Sequence, residues 1–229
     1  MRGEISSGKF DKRHPYDWYV EEHWVTDQLV RALGGLRAER ESGLAIWDPA
    51  AGYGHIGSAV AEYGFRGQVH LSDIVRNIAE DDFAHPPLFR PADFLELEEA
   101  PAPCSIICNP PYSYRKIDGF LISEAFARHA LALTSYRVCF LLPSKWLASQ
   151  SRYRLFTEHP PRAVLHLTQR PSMPPGDRIE AMGSRAYRGG MTDYCWIVWD
   201  TRRPTGVDYT RTVWLPPRTE PVQPIEGLA

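Results

Sequence analysis

The sequence lacks the features that mark several common classes of protein. No hydrophobic run approaches the roughly 18 residues needed to cross a bilayer, and residues 1–12 contain no apolar stretch typical of a secretory signal. The four cysteines form no CxxC pair and the eight histidines form no HExxH pair, so no metal site is predicted. We therefore expect a cytoplasmic protein with buried, reduced thiols and no membrane partner.

A large excess of either charge is also missing from the chain as a whole, which has 229 residues and a net charge of −2. That balance argues against a strongly basic nucleic-acid binder. The charge is distributed unevenly, however. Residues 1–112 carry 10 basic and 18 acidic side chains, residues 113–190 carry 12 and 5, and residues 191–229 carry 4 and 5. The basic excess of the middle segment therefore needs an explanation of its own.

Apolar runs typical of strands alternate along the chain with segments whose apolar residues have helical spacing. With 43% hydrophobic residues the chain can bury a core. The alternation predicts an α/β fold with a mostly parallel sheet covered on both faces. Helices are predicted at 24–33, 56–63 and 118–133, the last with Asp118 as N-cap. The predicted strands are 44–47, 68–73, 104–108, 137–143, 163–168, 194–199 and 207–215.

Composition predicts three parts that differ in order. Residues 1–16 are polar and are expected to form a flexible arm, residues 17–200 to form the folded domain, and residues 201–229 to be a partly disordered extension. The stretch from Arg170 to Met191 is rich in Pro, Gly and Arg. It is too long and polar to belong to the core, which predicts a surface loop.

Polar residues follow the predicted strands at four places, where Asp48, Asp73, Asp93 and Asn109 stand at or just beyond strand ends. In parallel sheets, ligands bind beyond the carboxyl ends of the strands. Asp48 opens a glycine-rich turn, which lets the backbone approach a ligand closely. The turn matches neither the GxGxxG fingerprint nor the lysine-containing phosphate loop, so it favours a positively charged ligand. Asp73 is placed to accept both hydroxyls of a ribose.

The turn Asp-Pro-Ala-Ala-Gly-Tyr-Gly at residues 48–54 resembles the glycine-rich motif of class I S-adenosylmethionine-dependent methyltransferases. The resemblance implies a Rossmann-like, seven-stranded, mostly parallel sheet and S-adenosylmethionine as cofactor. It also implies that Asp93 accepts from the adenine amino group and that Phe94 packs on the adenine ring. Residues 17–22 resemble the N-terminal motif that covers the cofactor in adenine methyltransferases. The cofactor-binding residues implied are Tyr19, Glu21, Asp48, Pro49, Ala50, Gly52, Gly54, Asp73, Ile74, Asp93, Phe94 and Asn109.

The segment Asn109-Pro110-Pro111-Tyr112 resembles the NPPY signature of methyltransferases that act on planar nitrogens, and these four residues are the catalytic candidates. An exocyclic amine is a poor nucleophile because its lone pair is delocalised into the ring. The Asn109 side-chain oxygen and the Pro110 carbonyl can each accept one N–H, which draws the nitrogen towards tetrahedral geometry. The prolines rigidify the turn, and Tyr112 can stack on the base. No catalytic histidine is predicted, because the amine becomes acidic only as it attacks.

The basic excess begins directly after this signature. With the segments FLLPSKWLASQ, QRPSM and DYCWIVW, residues 17–200 resemble small adenine-N6 methyltransferases of phages and prophages. The resemblance implies a nucleic-acid partner, with DNA adenine N6 favoured; an RNA adenine, a protein glutamine amide and a cofactor-binding module without catalysis are the alternatives. Target specificity is expected from loops 113–119 and 170–190 or from a partner protein. The substrate-binding candidates are Tyr114, Arg115, Lys145, Arg170, Arg178, Arg185 and Arg188.

Overall fold

The computed structural model describes residues 16–65, 67–78, 88–112, 115–206 and 209–229. It confirms a mixed α/β fold with a mostly parallel central sheet. The helices of this part are α1 (His23–Ala32), α2 (Arg37–Glu41), α3 (His55–Ala61), α4 (Ile122–Leu133), α5 (Tyr153–Glu158) and α6 (Ile179–Met182). The strands are β1 (Ala45–Asp48), β2 (Val69–Asp73), β3 (Leu88–Pro91), β4 (Cys104–Cys108), β5 (Lys116–Ile117), β6 (Phe120–Leu121), β7 (Arg137–Pro143), β8 (Ala163–Leu167), β9 (Tyr194–Asp200) and β10 (Arg211–Leu215).

The main sheet has the strand order β10-β8-β9-β7-β4-β1-β2-β3. Strand β9 runs antiparallel to β7 and β8, and the other neighbours are parallel. The described part therefore contributes eight strands to this sheet, and the predicted count of seven is wrong. The additional strand is β3, which pairs with β2 at the sheet edge. Its residues are mostly exposed and have no apolar alternation, so the pattern does not reveal it.

Helices cover both faces of the sheet. On one face, Leu29 of α1 and Val60 of α3 are buried in one apolar cluster with the inner side chains of the strands. On the other face, Phe126 of α4 and Leu155 of α5 belong to a second cluster. Because β1, β4, β7 and β9 are buried along their whole length, they appear in the sequence as continuous apolar runs rather than alternating ones.

Helix α4 begins at Ile122 and not at the predicted N-cap Asp118, so that prediction is wrong. The residues before it form the short antiparallel hairpin β5–β6. Asp118 and Gly119 make its turn with φ values of 50° and 85°, and positive φ at both central residues is typical of a two-residue hairpin. The Asp-Gly pair is itself a hairpin signal, which the helical spacing of the following residues obscures.

The C-terminal residues pack against the domain. Strand β10 lies parallel to β8 at the sheet edge, and Val222, Ile225 and Leu228 are buried in the same cluster as α1 and α3. Residues 1–15 of the predicted arm lie outside the described part, and the division of the chain into three parts stays a prediction.

The four cysteines are buried and unpaired, as expected from the sequence. Within the described part, no group of His, Cys, Asp and Glu side chains is arranged to hold a metal ion. None of the helices described is long and apolar enough to cross a membrane.

A buried ion pair joins α2 to the amino end of β7. Arg137 Nη1 donates to both carboxylate oxygens of Glu39, at 3.0 and 3.1 Å, and both side chains are almost completely buried. Arg137 Nη2 also donates to the Leu228 carbonyl at 2.7 Å, and Ser105 donates to Glu39 at 3.2 Å. The network therefore connects two strands, a helix and the C-terminal residues.

Removal of Glu39 should leave a buried guanidinium without its counter-charge. We expect Glu39→Leu to lower the free energy of unfolding by about 3–5 kcal/mol, and Glu39→Leu with Arg137→Met to recover part of that loss because no buried charge remains. Urea unfolding followed by circular dichroism measures both. Glu41→Ala, which removes an exposed partner of Arg37, is the control and should not move the transition. A double variant no more stable than Glu39→Leu would contradict this account.

Candidate active site

A cavity of about 300 Å³ lies at the carboxyl ends of β1, β2, β3 and β4. Strands β1 and β4 are neighbours, and β2 and β3 continue the sheet on the far side of β1, so the cavity lies where the strand order reverses. Ligands of open α/β sheets bind at such a point. The cavity lining contains every predicted cofactor-binding residue except Gly54, which instead precedes the first residue of α3.

The glycine-rich turn after β1 is held by the end of β2. Gly52 N–H donates to Asp73 Oδ2 at 2.9 Å. Gly52 and Gly54 have φ values of 51° and 87°, a region that favours glycine. A Cβ on Gly52 would also lie 2.9 Å from Trp18 Nε1. Position 52 therefore requires glycine both for its backbone conformation and for the close approach of the Trp18 ring.

The acidic residues of the cavity wall include Glu21, Asp48 and Asp73. Burial raises the pKa of Asp48 well above its usual value, and the charge of Glu21 raises it further. Burial also raises the pKa of Asp73, against the hydrogen bonds from Gly52 and Val75, and that of Glu21, against the charge of His55. This concentration of buried acidic groups favours a ligand that carries positive charge.

The end of β3 contributes Asp93 and Phe94. Asp93 is exposed at the cavity edge, and its Oδ1 accepts a hydrogen bond from Leu95 N–H at 3.0 Å. Phe94 is only 1% exposed, with its ring centroid 5.3 Å from Trp47 and 4.9 Å from Phe126. Phe94 therefore forms a fixed apolar part of the wall, and its packing on an adenine ring stays a prediction.

Asn109 follows β4 and lines the cavity together with Pro111. Both N–H bonds of its side chain have acceptors: Nδ2 donates to the Tyr19 carbonyl at 3.0 Å and to Glu21 Oε2 at 2.7 Å. The side-chain oxygen lies on the other side of the amide, where the Tyr112 hydroxyl donates to it. The amide orientation is thus fixed by two acceptors that belong to the segment before α1.

Tyr112 is turned towards the protein interior. Its hydroxyl contacts Asn109 Oδ1 and lies 2.9 Å from the Leu141 carbonyl, and its ring centroid is 6.1 Å from that of Tyr194. Burial raises the pKa of Tyr112 well above its usual value, so the hydroxyl remains a donor. The ring does not line the cavity in this conformation. Stacking of Tyr112 on a base therefore requires the ring to rotate away from Asn109.

The segment before α1 crosses the cavity and is attached to the loop 170–190. Tyr19 forms a β-bridge with Pro175, and Gly176 N–H donates to the Trp18 carbonyl at 3.0 Å. A Cβ on Gly176 would lie 2.1 Å from the Trp18 ring, so this glycine leaves the space that the indole fills. The Trp18 ring also lies 5.1 Å from that of Tyr53.

Trp18 and Tyr53 belong to the two segments that resemble cofactor motifs, but neither they nor Gly176 is among the individual candidate residues. Tyr53 stands inside the glycine-rich turn, which is a usable signal. No local pattern indicates that Trp18 meets Gly176, because the two residues are far apart in the sequence.

The predicted substrate residues lie on different elements. Arg115 contributes to the cavity lining. Lys145 is exposed after β7, and Arg185 and Arg188 are exposed in the loop 170–190, where Arg178 is half-buried. Arg170 donates to Asp193 at 2.6 Å, which partly neutralises its charge. Tyr114 lies outside the described residues. The structure thus brings Arg115 to the cavity, and a shared role for the others stays a prediction.

No family model matches the chain, and no curated protein matches its sequence. Solved structures match its fold. A protein of Listeria monocytogenes, provisionally named a class I S-adenosylmethionine-dependent methyltransferase, covers 86% of this chain with a TM-score of 0.58 and 12% identity. The type ISP restriction-modification enzyme LlaGI, solved with a DNA substrate mimic, covers 86% with a TM-score of 0.58 and 15% identity. DrdV, solved in complex with DNA, covers 89% with a TM-score of 0.58 and 14% identity.

This chain spans 64% of the length of the Listeria protein, 27% of LlaGI and 28% of DrdV. At these identities the likeness concerns the fold alone. The described part of the chain has the fold of class I methyltransferases. The cavity lies at the carboxyl ends of its parallel strands.

The buried carboxylates should destabilise the unliganded protein at neutral pH. Because the pKa of Asp48 is raised in the folded state, protonation of this side chain stabilises the fold, and that stabilisation is lost as the pH rises. We expect Asp48→Asn to melt at a higher temperature than wild type near neutral pH, with the difference shrinking towards acid pH. Calorimetry between pH 5 and pH 8 measures this. Asp177→Asn, at an exposed position, is the control; equal melting temperatures for Asp48→Asn and wild type at neutral pH would contradict the assignment.

Proposed function

We propose that this chain is an S-adenosylmethionine-dependent methyltransferase that transfers a methyl group to the exocyclic N6 of adenine in DNA. The observation that carries the proposal is the side chain of Asn109. Its N–H groups are bound by Tyr19 and Glu21, so its oxygen is directed away from them as an acceptor, beside a cavity lined by acidic residues.

The residues of the cavity fit the proposed cofactor. Bound S-adenosylmethionine would supply a methyl group on a positively charged sulfonium. Asp48, which is buried in the cavity wall, would provide negative charge that stabilises such a cation. Asp73 accepts from Gly52 and Val75 through different oxygens, and each oxygen has a further lone pair for a ribose hydroxyl. Asp93, exposed at the edge of the cavity, would accept from an adenine amino group.

The turn after β4 suits an amine acceptor. Asn109 Oδ1 and the Pro110 carbonyl would each accept one N–H of the target amine, which localises the lone pair on the nitrogen. Bound S-adenosylmethionine would supply its methyl group to this nitrogen and leave as a neutral thioether, and the amine proton would pass to solvent. Alignment of the reacting atoms supplies most of the rate enhancement in such a displacement. Tyr112 must leave Asn109 Oδ1 for the amine to bind, and its ring would then be able to stack on the base.

Three features support DNA as the acceptor. The basic excess falls in residues 113–190, which follow the turn at Asn109 in the sequence. Arg185 and Arg188 are exposed in a loop attached to the segment that covers the cavity. Two of the proteins that share the fold were solved with DNA or a DNA mimic. A base in a duplex would have to leave the stack to reach Asn109.

The acceptor class is tested by incubation with labelled S-adenosylmethionine and separate pools of duplex DNA, single-stranded DNA, RNA and protein. We expect label in DNA, as N6-methyladenine. Asn109→Ala should lower transfer by at least about 100-fold, because the acceptor oxygen is lost, while calorimetry still shows cofactor binding. Label in RNA adenine or in protein glutamine alone would replace DNA with that acceptor. Substantial turnover by Asn109→Ala would contradict the mechanism.

The loop 170–190 should contribute phosphate contacts. Arg178→Ala with Arg185→Ala should weaken DNA binding and reduce the slope of log K against log salt concentration by about 2, since each phosphate contact contributes about one. Fluorescence anisotropy with a labelled oligonucleotide at several salt concentrations measures the slope. Arg31→Ala with Arg37→Ala makes the same charge change in the acidic half and is the matched control. A slope equal to that of the control would show that DNA binds elsewhere.

A further inference from the structure

Glu21 is buried beside the cavity, and its carboxylate points at a side chain rather than at solvent. It is 5% exposed, and Oε2 accepts from Asn109 Nδ2 at 2.7 Å. Its backbone is fixed as well, because its carbonyl lies 2.6 Å from His55 Nδ1 at the start of α3. The distance of 2.7 Å is short for a hydrogen bond from nitrogen and is typical of one to an ionised acceptor.

An asparagine side chain can present either its oxygen or its nitrogen to a given neighbour, because a rotation of 180° exchanges the two. Only one orientation suits the surroundings of Asn109. A carbonyl, from Tyr19, and a carboxylate, from Glu21, both accept hydrogen bonds, so both favour the nitrogen on their side. In the flipped orientation the Asn109 oxygen would face two acceptors, and a donor would face the incoming amine.

We propose that Glu21 is a positioning residue for Asn109: its carboxylate holds the side-chain amide with Oδ1 directed at the acceptor amine. The inference rests on the proposed function, since it assigns Oδ1 to an amine. It differs from a direct role of Glu21 in binding a cationic part of the cofactor. In the described structure this carboxylate accepts a hydrogen bond from Asn109, and the charge of His55 also acts on it.

The Tyr112 hydroxyl occupies the position from which a target N–H would donate to Asn109. It donates to Asn109 Oδ1 from the side opposite Glu21, as a target N–H would have to do. The same hydroxyl also lies 2.9 Å from the Leu141 carbonyl, a second acceptor. In the orientation that Glu21 favours, the Asn109 oxygen accepts from Tyr112 in this structure. The same oxygen would accept from the target amine once that hydroxyl has left.

Three substitutions of Glu21 distinguish its hydrogen bond to Asn109 from the effect of its negative charge. Glu21→Gln keeps the length and an acceptor oxygen but removes the charge. Glu21→Asp keeps the charge but shortens the side chain by one bond, roughly 1.5 Å, so it no longer reaches Asn109. Glu21→Ala removes both. Glu62→Gln and Glu62→Ala, at an exposed position on the far end of α3, are the matched controls.

We expect Glu21→Ala and Glu21→Asp to lower kcat about 10- to 100-fold, the loss that follows from one hydrogen bond to a charged group. The KM for the cofactor and its Kd by calorimetry should stay within about twofold of wild type, and Glu21→Gln should restore kcat to within roughly fivefold. The reverse order, with Glu21→Asp active and Glu21→Gln inactive, or a raised Kd with unchanged kcat, would show that the charge of Glu21 serves the cofactor and would overturn the inference.

A second readout does not depend on turnover. In ¹⁵N-labelled protein, the side-chain amide signals of Asn109 are identified by their loss in Asn109→Ala. They should move in Glu21→Asp and much less in Glu21→Gln; signals that stay unmoved in Glu21→Asp would overturn the inference. If wild type methylates none of the acceptors, the proposed function fails while these signals still test the contact. If wild type is active and Glu21→Asp equals it, only the positioning role fails.

Discussion

The parallel pairing of β1 with β4 is the constraint on which the site depends. Trp47 lies opposite Ile106 in that pairing, so Asp48 and Asn109 leave the sheet on adjacent strands, which are about 4.8 Å apart in any sheet. Both strands are buried on both faces, and a shift of register would carry Asn109 along β4 by about 3.3 Å per residue. The packing of the core therefore fixes the separation between the acidic residues of the cavity wall and the turn that carries Asn109.

Buried charged side chains have different partners at the two ends of this sheet. At the amino end, Arg137 and Glu39 are buried together and neutralise each other. At the carboxyl end, Asp48 and Asp73 are held by backbone N–H groups of Ala50 and Gly52, which stabilise a carboxylate without cancelling its charge. Burial of acidic groups in this way lowers the stability of the unliganded fold. A cationic ligand would recover that stability, which is a physical reason to expect one there.

Much of the fold and of the cavity wall follows from the sequence, and the reasons are local. Apolar runs such as 137–143 predict buried strands, and the polar residue after each run predicts the edge where ligands bind. The edge strand β3 is exposed and carries no such run. The orientation of Asn109 also has no local signal, because it depends on Glu21, which is far away in the sequence. Long-range contacts of this kind are what pattern reasoning leaves out.

Tyr19 connects two parts of the site that the sequence separates widely. Its carbonyl accepts from Asn109, and its backbone bridges to Pro175 in the basic loop. The loop is therefore one residue away from the side chain that would hold the acceptor amine. A polyanion bound to Arg178 and Arg185, as the proposed function requires, would therefore lie on a loop whose backbone contacts that of Tyr19.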